Sequence, residues 1–321
     1  MHPAIPIALV FVGCCSNVVF LELLVSEHPG AGNIITFMQF LFIAVEGFIF
    51  TSNFGTKRSA IPMKVYGFMV TFFFVVQVLN NYCFIFNIPM TLHIIFRAGS
   101  LIASLVLGTV ILKKKYPVSK YVSVSMITVG IIACTLASAT QDNGSDDQPT
   151  SLFHFIVGVG MLVLSLFMTA RMGIYQETVY RQYGKHPKES LFYNHALPLP
   201  GFLLISSDIY NHAIAFNQSA PMGIAALGLT VPKMWIFLAG NVVTQYICIR
   251  SVFILTTECS ALTVTLVVTL RKFISLILSI IYFNNPFTLL HCFGAACVFI
   301  GTLMFTEVIK LPVKALDKKS E

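Results

Sequence analysis

The sequence predicts an all-α integral membrane protein with about ten transmembrane helices, arranged as two inverted repeats of five helices each. Three observations lead to this fold class. The 321 residues are 56% hydrophobic and 10% charged, with a mean hydropathy of +0.83, whereas a soluble domain carries about 25% charged residues. Apolar runs recur at the length that a bilayer core requires. Basic residues are concentrated in alternate loops between those runs.

Ten apolar runs are long enough to cross a bilayer. They lie near residues 4–25, 33–52, 64–84, 90–112, 118–139, 152–178, 190–208, 231–254, 258–282 and 286–309. We interpret the first run as a span rather than a signal peptide, because it is too long and no basic residue precedes it. Strands are not expected within the runs, since an open sheet edge cannot be satisfied in lipid.

The loop charges predict that both termini are cytosolic. Basic residues follow the second, fourth and sixth spans and fill the tail: Lys57, Arg58, Lys64, Lys113, Lys114, Lys115, Lys120, Arg181, Lys185, Lys188, Lys310, Lys314, Lys318 and Lys319. The alternate loops carry acidic residues, with Lys233 as the exception. Basic loops are cytosolic in membrane proteins. The sequons at Asn143 and Asn217 fall in the opposite loops, and Asn217, which is farther from a span, is the predicted glycosylation site.

The ten runs divide into two predicted repeats, residues 1–145 and 146–310, followed by a tail at 311–321. Because five is odd, the second repeat would be inverted relative to the first, as in many transporters. The internal similarity includes a mid-helix glycine in the fifth and tenth spans, Gly130 and Gly301.

Three cationic residues lie inside predicted spans, where a charge costs about 2.5–3.5 kcal/mol. Arg271 and Lys272 are central in the ninth span, and Arg97 lies in the fourth span, its equivalent in the other repeat. Spans 6 to 10 offer no acid at mid-membrane depth. The pattern predicts a cationic site for a phosphate-bearing anion. For Arg97 the alternative is a pairing with a carbonyl or with Glu46.

Polar side chains in two other spans are further candidates for substrate contact. Tyr193 and Asn194 open the seventh span and offer an aromatic ring and an amide. Asn80 and Asn81 lie in the third span, where binding substrate and holding helices together are equally consistent with the sequence.

The sequence gives no indication of a metal, a cofactor, a nucleic-acid partner or a disulfide framework. The eight cysteines (Cys14, Cys15, Cys83, Cys134, Cys248, Cys259, Cys292 and Cys297) lie in or beside apolar runs without a C-x-x-C pair. We interpret them as small packed side chains. His93 and His195 have no partner at metal-ligand spacing. The basic residues report membrane orientation rather than nucleic-acid binding.

Several motifs resemble the nucleotide-sugar transporters of solute carrier family 35, in the drug/metabolite transporter superfamily. Phe192-Tyr193-Asn194-His195 resembles the family's F-Y-N-N motif, with His in place of the last Asn. Thr269 to Phe273 resembles the T-L-R-K-F form of carriers for UDP-sugars, adenosine nucleotides and sulfonucleotides rather than the G-A-L-N-K form of GDP-mannose carriers. The runs 13–18, 39–47 and 96–101 resemble family members that carry UDP-xylose and UDP-N-acetylglucosamine.

The resemblance implies an antiporter that brings UDP-N-acetylglucosamine and/or UDP-xylose into the endoplasmic reticulum or Golgi lumen in exchange for UMP. It implies phosphate contacts for Arg271 and Lys272 and nucleotide contacts for Tyr193 and Asn194. GDP-fucose transport and adenine nucleotide exchange stay open as alternatives. Lys318 and Lys319 resemble a dilysine signal, which would be retrieved by a coat protein. The sequence does not specify the oligomeric state, and a homo-oligomer stays open.

Three other classes of membrane protein differ from a carrier in features that can be tested. A channel would conduct without substrate on the opposite side. A membrane enzyme would need catalytic groups, and the spans contain no His box, carboxylate pair or activated nucleophile. A seven-helix receptor would place its two termini on opposite sides of the membrane.

Overall fold

A computed structural model describes residues 4–86, 88–111, 113–142, 149–184, 186–224, 229–258, 261–283 and 287–309. The described chain is mostly helical. Its α-helices are α1 (Ala4–Glu27), α2 (Gly32–Phe50), α3 (Met63–Tyr82), α4 (Met90–Phe96), α5 (Ser100–Val110), α6 (Val118–Asp142), α7 (Pro149–Tyr183), α8 (Pro187–Ala196), α9 (Ser206–Asn217), α10 (Lys233–Glu258), α11 (Ala261–Phe283) and α12 (Leu289–Phe305). Short 3-10 helices lie at Pro29–Ala31, Cys83–Phe86, Arg97–Gly99 and Leu199–Ile205.

The prediction of an all-α membrane protein is confirmed, with eight membrane-length stretches in the described residues. They are Ala4–Glu27, Pro29–Phe50, Met63–Phe86, Met90–Val110, Val118–Ala139, Leu152–Tyr183, Lys233–Leu255 and Leu266–Phe283. The predicted tenth span corresponds to the shorter apolar helix Leu289–Phe305. The predicted seventh span is divided into α8 and a 3-10 helix, because Pro198 and Pro200 interrupt its backbone hydrogen bonding.

The outer surface of the helices carries large apolar side chains, as a lipid solvent requires. Ile132 and Leu136 on α6 are 52% and 58% exposed, and Phe153 on α7 is 65% exposed. Ile281 on α11 is 70% exposed. Water would penalise so many exposed apolar groups, whereas hydrocarbon does not.

The segment between α8 and α10 contains structure that the sequence did not predict. Residues 209–217, expected as loop, belong to α9. They are followed by an antiparallel hairpin of β1 (Pro221–Ile224) and β2 (Leu229–Pro232), in which Met222 is paired with Val231. The expectation that strands are absent from the apolar runs is wrong for residues 231–232, where β2 overlaps the start of the predicted run 231–254, although the hairpin lies outside the membrane-length stretches. There, water can satisfy its free edges.

The chain folds as two compact units. The first unit comprises His2–Ile85 with Tyr175–Ile254, and the second comprises Phe86–Ile174 with Leu255–Glu321. Each unit takes residues from both predicted halves of the sequence. A compact unit and a sequence repeat are different divisions of a chain, so the repeats at 1–145 and 146–310 stay a prediction.

Helices α6 and α12 of the second unit pack closely because glycines line their contact. A Cβ added to Gly130 would lie 2.5 Å from the Gly294 carbonyl oxygen, and one added to Gly301 would lie 2.9 Å from the Ser123 carbonyl oxygen. Small residues allow helix backbones to approach in this way within membranes. Gly130 and Gly301, noted in the sequence as matching positions, thus lie at one helix–helix contact.

Helices α1 and α10 of the first unit are joined by a disulfide between Cys14 and Cys248. The expectation that all cysteines are reduced packing residues is therefore wrong for this pair. Their sequence separation of 234 positions leaves no local pattern from which the pairing could be predicted. The approach depends on Gly13, where a Cβ would lie 2.9 Å from the Cys248 nitrogen. By contrast, Cys15, Cys83 and Cys134 are buried thiols outside this disulfide.

Candidate functional site

The second unit brings the three predicted cations together. Arg97 begins the 3-10 helix that separates α4 from α5, and Arg271 and Lys272 lie near the middle of α11, which packs on α4. The three side chains are close enough to repel one another electrostatically. Since 3-10 turns within a helix often mark functional positions, the break at Arg97 fits a site residue.

Arg97 retains accessible surface, whereas its neighbours Phe96, Ala98 and Gly99 are buried.

Lys272 lines a narrow cavity bounded by α4, α11 and α12. Its walls are Ile94, Ile95, Ala98, Thr269, Phe273, Leu276, Ala295, Val298, Phe299 and Thr302. Phe273 and Phe299 are stacked there with ring centroids 4.3 Å apart. A mostly apolar wall with one ammonium group strengthens the attraction for an anion, because the local dielectric is low.

Carboxylates are scarce in this unit. Among its described side chains the one carboxylate is Glu307, beyond the end of α12, and it pairs with Lys120 at 2.8 Å. The alternative partner considered for Arg97, Glu46, belongs to the first unit. There the Glu46 carboxylate accepts from Arg250 at 2.6 Å and from the Tyr246 hydroxyl at 2.8 Å. Tyr246 was not among the residues predicted from the sequence; its position four residues before Arg250 on α10 is the one signal that could have indicated it.

Tyr193 and Asn194 lie on α8 in the first unit. The Tyr193 ring packs against Tyr66, with centroids 4.8 Å apart, and against Phe192 at 4.9 Å. Within the described part of the chain, the buried Asn194 side-chain oxygen has no hydrogen-bond partner. A buried acceptor of this kind is costly unless a ligand or water satisfies it.

His195, which replaces the last Asn of the F-Y-N-N motif, is part of the packing of the first unit. Its Nδ1 lies 2.7 Å from the Leu191 carbonyl oxygen. Its ring packs edge-on against Phe40, with centroids 4.7 Å apart, and against Phe73 at 5.6 Å. The substitution therefore occupies a helix-packing position.

The Asn81 side chain is engaged in contacts between helices α2 and α3. Its amide nitrogen donates to Thr36 at 2.9 Å and to Asn33 at 3.2 Å, and Asn33 donates to Asp208 at 2.9 Å. These bonds support the packing role that the sequence left open. Substrate contact by Asn80 and Asn81 stays a prediction.

The predicted modification and targeting residues are placed as follows. Asn217 is the last residue of α9 and is exposed. Its side-chain oxygen accepts from the Trp235 indole nitrogen at 2.8 Å. The nitrogen that would carry a glycan is a separate atom, so this bond does not block it. Lys318 and Lys319 lie outside the described residues.

Comparison with known proteins decides the family. The model of the UAA transporter family matches residues 2–309 of the chain. The chain belongs to the UAA transporter family. Among its relatives is a Danio rerio protein named UDP-xylose and UDP-N-acetylglucosamine transporter, 58% identical over 331 residues and covering all of both chains. A Homo sapiens relative named nucleotide sugar transporter SLC35B4 is 58% identical over 96% of this chain and 95% of its own.

The UAA family member also resembles a Drosophila melanogaster protein named endoplasmic reticulum GDP-fucose transporter. The identity is 54%, covering 94% of this chain and 89% of the relative. The resemblance read from the motifs is thereby confirmed, and the family and relatives point to a nucleotide-sugar transporter rather than an enzyme.

Proposed function

We propose that the chain exchanges UDP-N-acetylglucosamine and/or UDP-xylose, entering the endoplasmic reticulum or Golgi lumen, for UMP leaving it. The Danio rerio relative is named for both sugars. The observation that carries the proposal is the group formed by Arg97, Arg271 and Lys272 within one unit. Three clustered cations match a ligand with two linked phosphates better than a neutral solute.

The proposed architecture is a ten-span bundle of two inverted five-helix repeats. The stretch from α8 through Leu199–Ile205 would supply the seventh span, and Leu289–Phe305 the tenth. Such repeats place the substrate near the bilayer midplane and alternate its access between the two sides. The glycine contact between α6 and α12, which are the fifth spans of the two halves, supports this division.

The cation group also accounts for obligatory exchange. The three cations, Arg97, Arg271 and Lys272, would neutralise the diphosphate of the nucleotide sugar during import and the phosphate of UMP during export. Without a bound ligand, repulsion among the three positive charges would disfavour the closed intermediate. The empty carrier would therefore change slowly between its two orientations. Tyr193 and Asn194 would contact the nucleotide, and the unsatisfied Asn194 oxygen is suited to accept from a base or ribose.

The proposed orientation has both termini in the cytosol. It rests on the basic loops, and it places the Asn217 sequon in the lumen. The tail, with Lys318 and Lys319, would then be accessible to a retrieval coat.

GDP-fucose is the second candidate substrate, favoured by the name of the Drosophila melanogaster relative. It shares the diphosphate and differs in base and sugar. The cation group would therefore accept either ligand, and discrimination would depend on contacts to the base.

The test is exchange by purified protein in liposomes loaded with UMP, GMP or AMP. We expect UMP inside the vesicles to stimulate uptake of UDP-N-acetylglucosamine or UDP-xylose several-fold over empty vesicles, and GMP and AMP to stimulate it little. Stimulation by GMP together with GDP-fucose uptake would favour the second candidate. Equal uptake into empty and loaded vesicles would contradict antiport.

A further inference from the structure

A cavity of about 450 Å³ lies wholly within the first unit. It forms where the end of α2, the loop before α3 and the start of α8 meet. It is lined by Phe50, Thr51, Ser52, Lys57, Arg58, Ser59, His186, Pro187, Lys188, Glu189, Phe192 and Tyr193. A volume of this size is within the range of small-molecule sites, about 300–1,000 Å³. We call it the basic cavity.

Positive charge dominates its wall. Lys57, Arg58 and Lys188 are exposed, and in the part of the chain that the structure describes none of them forms an ion pair. Three cations converging from two separate segments raise the local potential for an anion.

The one carboxylate in the basic cavity is engaged in holding it together. Glu189 accepts hydrogen bonds from the backbone N–H groups of Ala60 and Ile61, at 3.0 and 3.1 Å, and from the Tyr66 hydroxyl at 3.1 Å. These bonds fix the loop that carries Lys57 and Arg58 against the start of α8. Glu189 thus positions the cations and offsets only one of the three charges.

Two further features favour a nucleotide over a simple anion. Helix α8 begins at Pro187 without a side-chain cap, so the positive end of its dipole faces this region and is offset in part by Glu189 in its first turn. The rings of Phe192 and Tyr193 also line the wall. An aromatic face beside cationic groups suits a base linked to phosphates, whereas a lipid headgroup would use the cations alone.

We propose that the basic cavity is an outer binding site that captures the diphosphate of a nucleotide sugar at the cytosolic face before transport. This rests on the proposed function, and on the orientation that makes the loop before α3 cytosolic. Lys57, Arg58 and Lys188 bind phosphate oxygens there, beside the aromatic part of the wall, which packs against the base. The site lowers the KM for cytosolic substrate and leaves the turnover step to the cations of the second unit.

The experiment measures the KM and kcat of UDP-N-acetylglucosamine uptake into UMP-loaded proteoliposomes. The test variant is the double substitution Lys57→Ala with Arg58→Ala. Its matched control is Lys113→Ala with Lys115→Ala, which removes the same charge from an exposed loop of the second unit. Each protein is assayed at about 0.1 M and about 1 M salt, where the Debye length falls from about 10 to about 3 Å.

We expect the test variant to raise KM about fivefold to tenfold at the lower salt, with a smaller change in kcat. The difference in KM between the test variant and the wild type should narrow at the higher salt. The KM of the control variant should stay within about twofold of the wild-type KM. A structural defect would instead lower kcat at both salt concentrations. If the wild type exchanges normally and the test variant matches the control, the outer site is wrong while the proposed function stands.

The same assay in vesicles with and without anionic lipid separates the two sources of phosphate. The proposal predicts the same KM difference in both. A difference that appears only with anionic lipid would assign the basic cavity to a lipid headgroup and overturn the nucleotide assignment. If the wild type takes up no nucleotide sugar at all, the proposed function itself fails.

Discussion

Asn17 on α1 and Asn241 on α10 hold each other by reciprocal hydrogen bonds. The Asn17 amide nitrogen donates to the Asn241 carbonyl at 2.9 Å, and the Asn241 amide nitrogen donates to the Asn17 carbonyl at 3.2 Å. Gln39 on α2 donates to the Asn241 side-chain oxygen at 2.6 Å. Asn241 is fully buried. Such amide pairs join helices where lipid offers no competing partner.

Replacing Asn241 with Ala should therefore destabilise the first unit by about 1–2 kcal/mol. The substitution removes two side-chain hydrogen bonds and leaves the Gln39 amide without this acceptor. Thermal unfolding in detergent measures the effect, with Asn211→Ala on an exposed position of α9 as the control. Equal unfolding temperatures for the two variants would show that the amide pair contributes nothing.

The disulfide between Cys14 and Cys248 predicts a specific labelling pattern. In SDS without a reductant, peptides carrying these two cysteines should resist alkylation, and they should label fully after reduction. Cys292 is free and exposed, so it should label under both conditions and serves as the internal control. Because the bond closes a long loop, its removal in a Cys14→Ser variant should cost about 2–4 kcal/mol. Full labelling of Cys14 before reduction would contradict the bond.

Two glycine-to-alanine substitutions should have opposite effects. Gly130→Ala places a Cβ against the Gly294 backbone, so α6 and α12 must separate and stability should fall by about 1–3 kcal/mol. Gly160 on α7 is exposed and has open space around it. Gly160→Ala should be neutral or stabilising by up to about 1 kcal/mol, since alanine favours helix. Equal unfolding temperatures would argue against the close contact.

Loss of the Glu189 carboxylate should release the loop that it holds. In Glu189→Ala, trypsin should cleave after Lys57 or Arg58 at least about threefold faster, because loop opening no longer breaks three hydrogen bonds. Glu177→Ala removes an exposed carboxylate from α7 and serves as the control. Mass spectrometry of the first fragments identifies the site. An unchanged cleavage rate at this loop would contradict the positioning role.

Hydropathy and the positions of charged residues were sufficient to predict most of the helices and the three cationic residues within them. The cost of a charge in lipid singled out Arg97, Arg271 and Lys272 before any contact was known, and the structure places them together. Hydropathy located most of the long spans within a few residues, but the ninth, predicted at 258–282, corresponds to the stretch Leu266–Phe283. It could not locate the break at Arg97, because a 3-10 turn within an apolar run leaves no compositional trace.

What the sequence did not predict depends on long-range packing. The link between Cys14 and Cys248 requires knowing that α1 contacts α10. Lys57, Arg58 and Lys188 indicated only membrane orientation, because their shared cavity forms between segments more than a hundred residues apart. Likewise, the hydrogen bonds of Asn81 became visible only with the partners Thr36 and Asn33 in place.

The central claim is that Lys272 and its two arginine neighbours bind the phosphates of the transported nucleotide. The most direct measurement is UMP-stimulated uptake of UDP-N-acetylglucosamine by Lys272→Ala, Lys272→Arg and the wild type at matched amounts in liposomes. Loss of a charged hydrogen bond costs about 1.5–3 kcal/mol, so Lys272→Ala should lower kcat/KM by about 10- to 100-fold. Lys272→Arg keeps the charge and should retain more activity. Normal exchange by a folded Lys272→Ala protein would contradict the account.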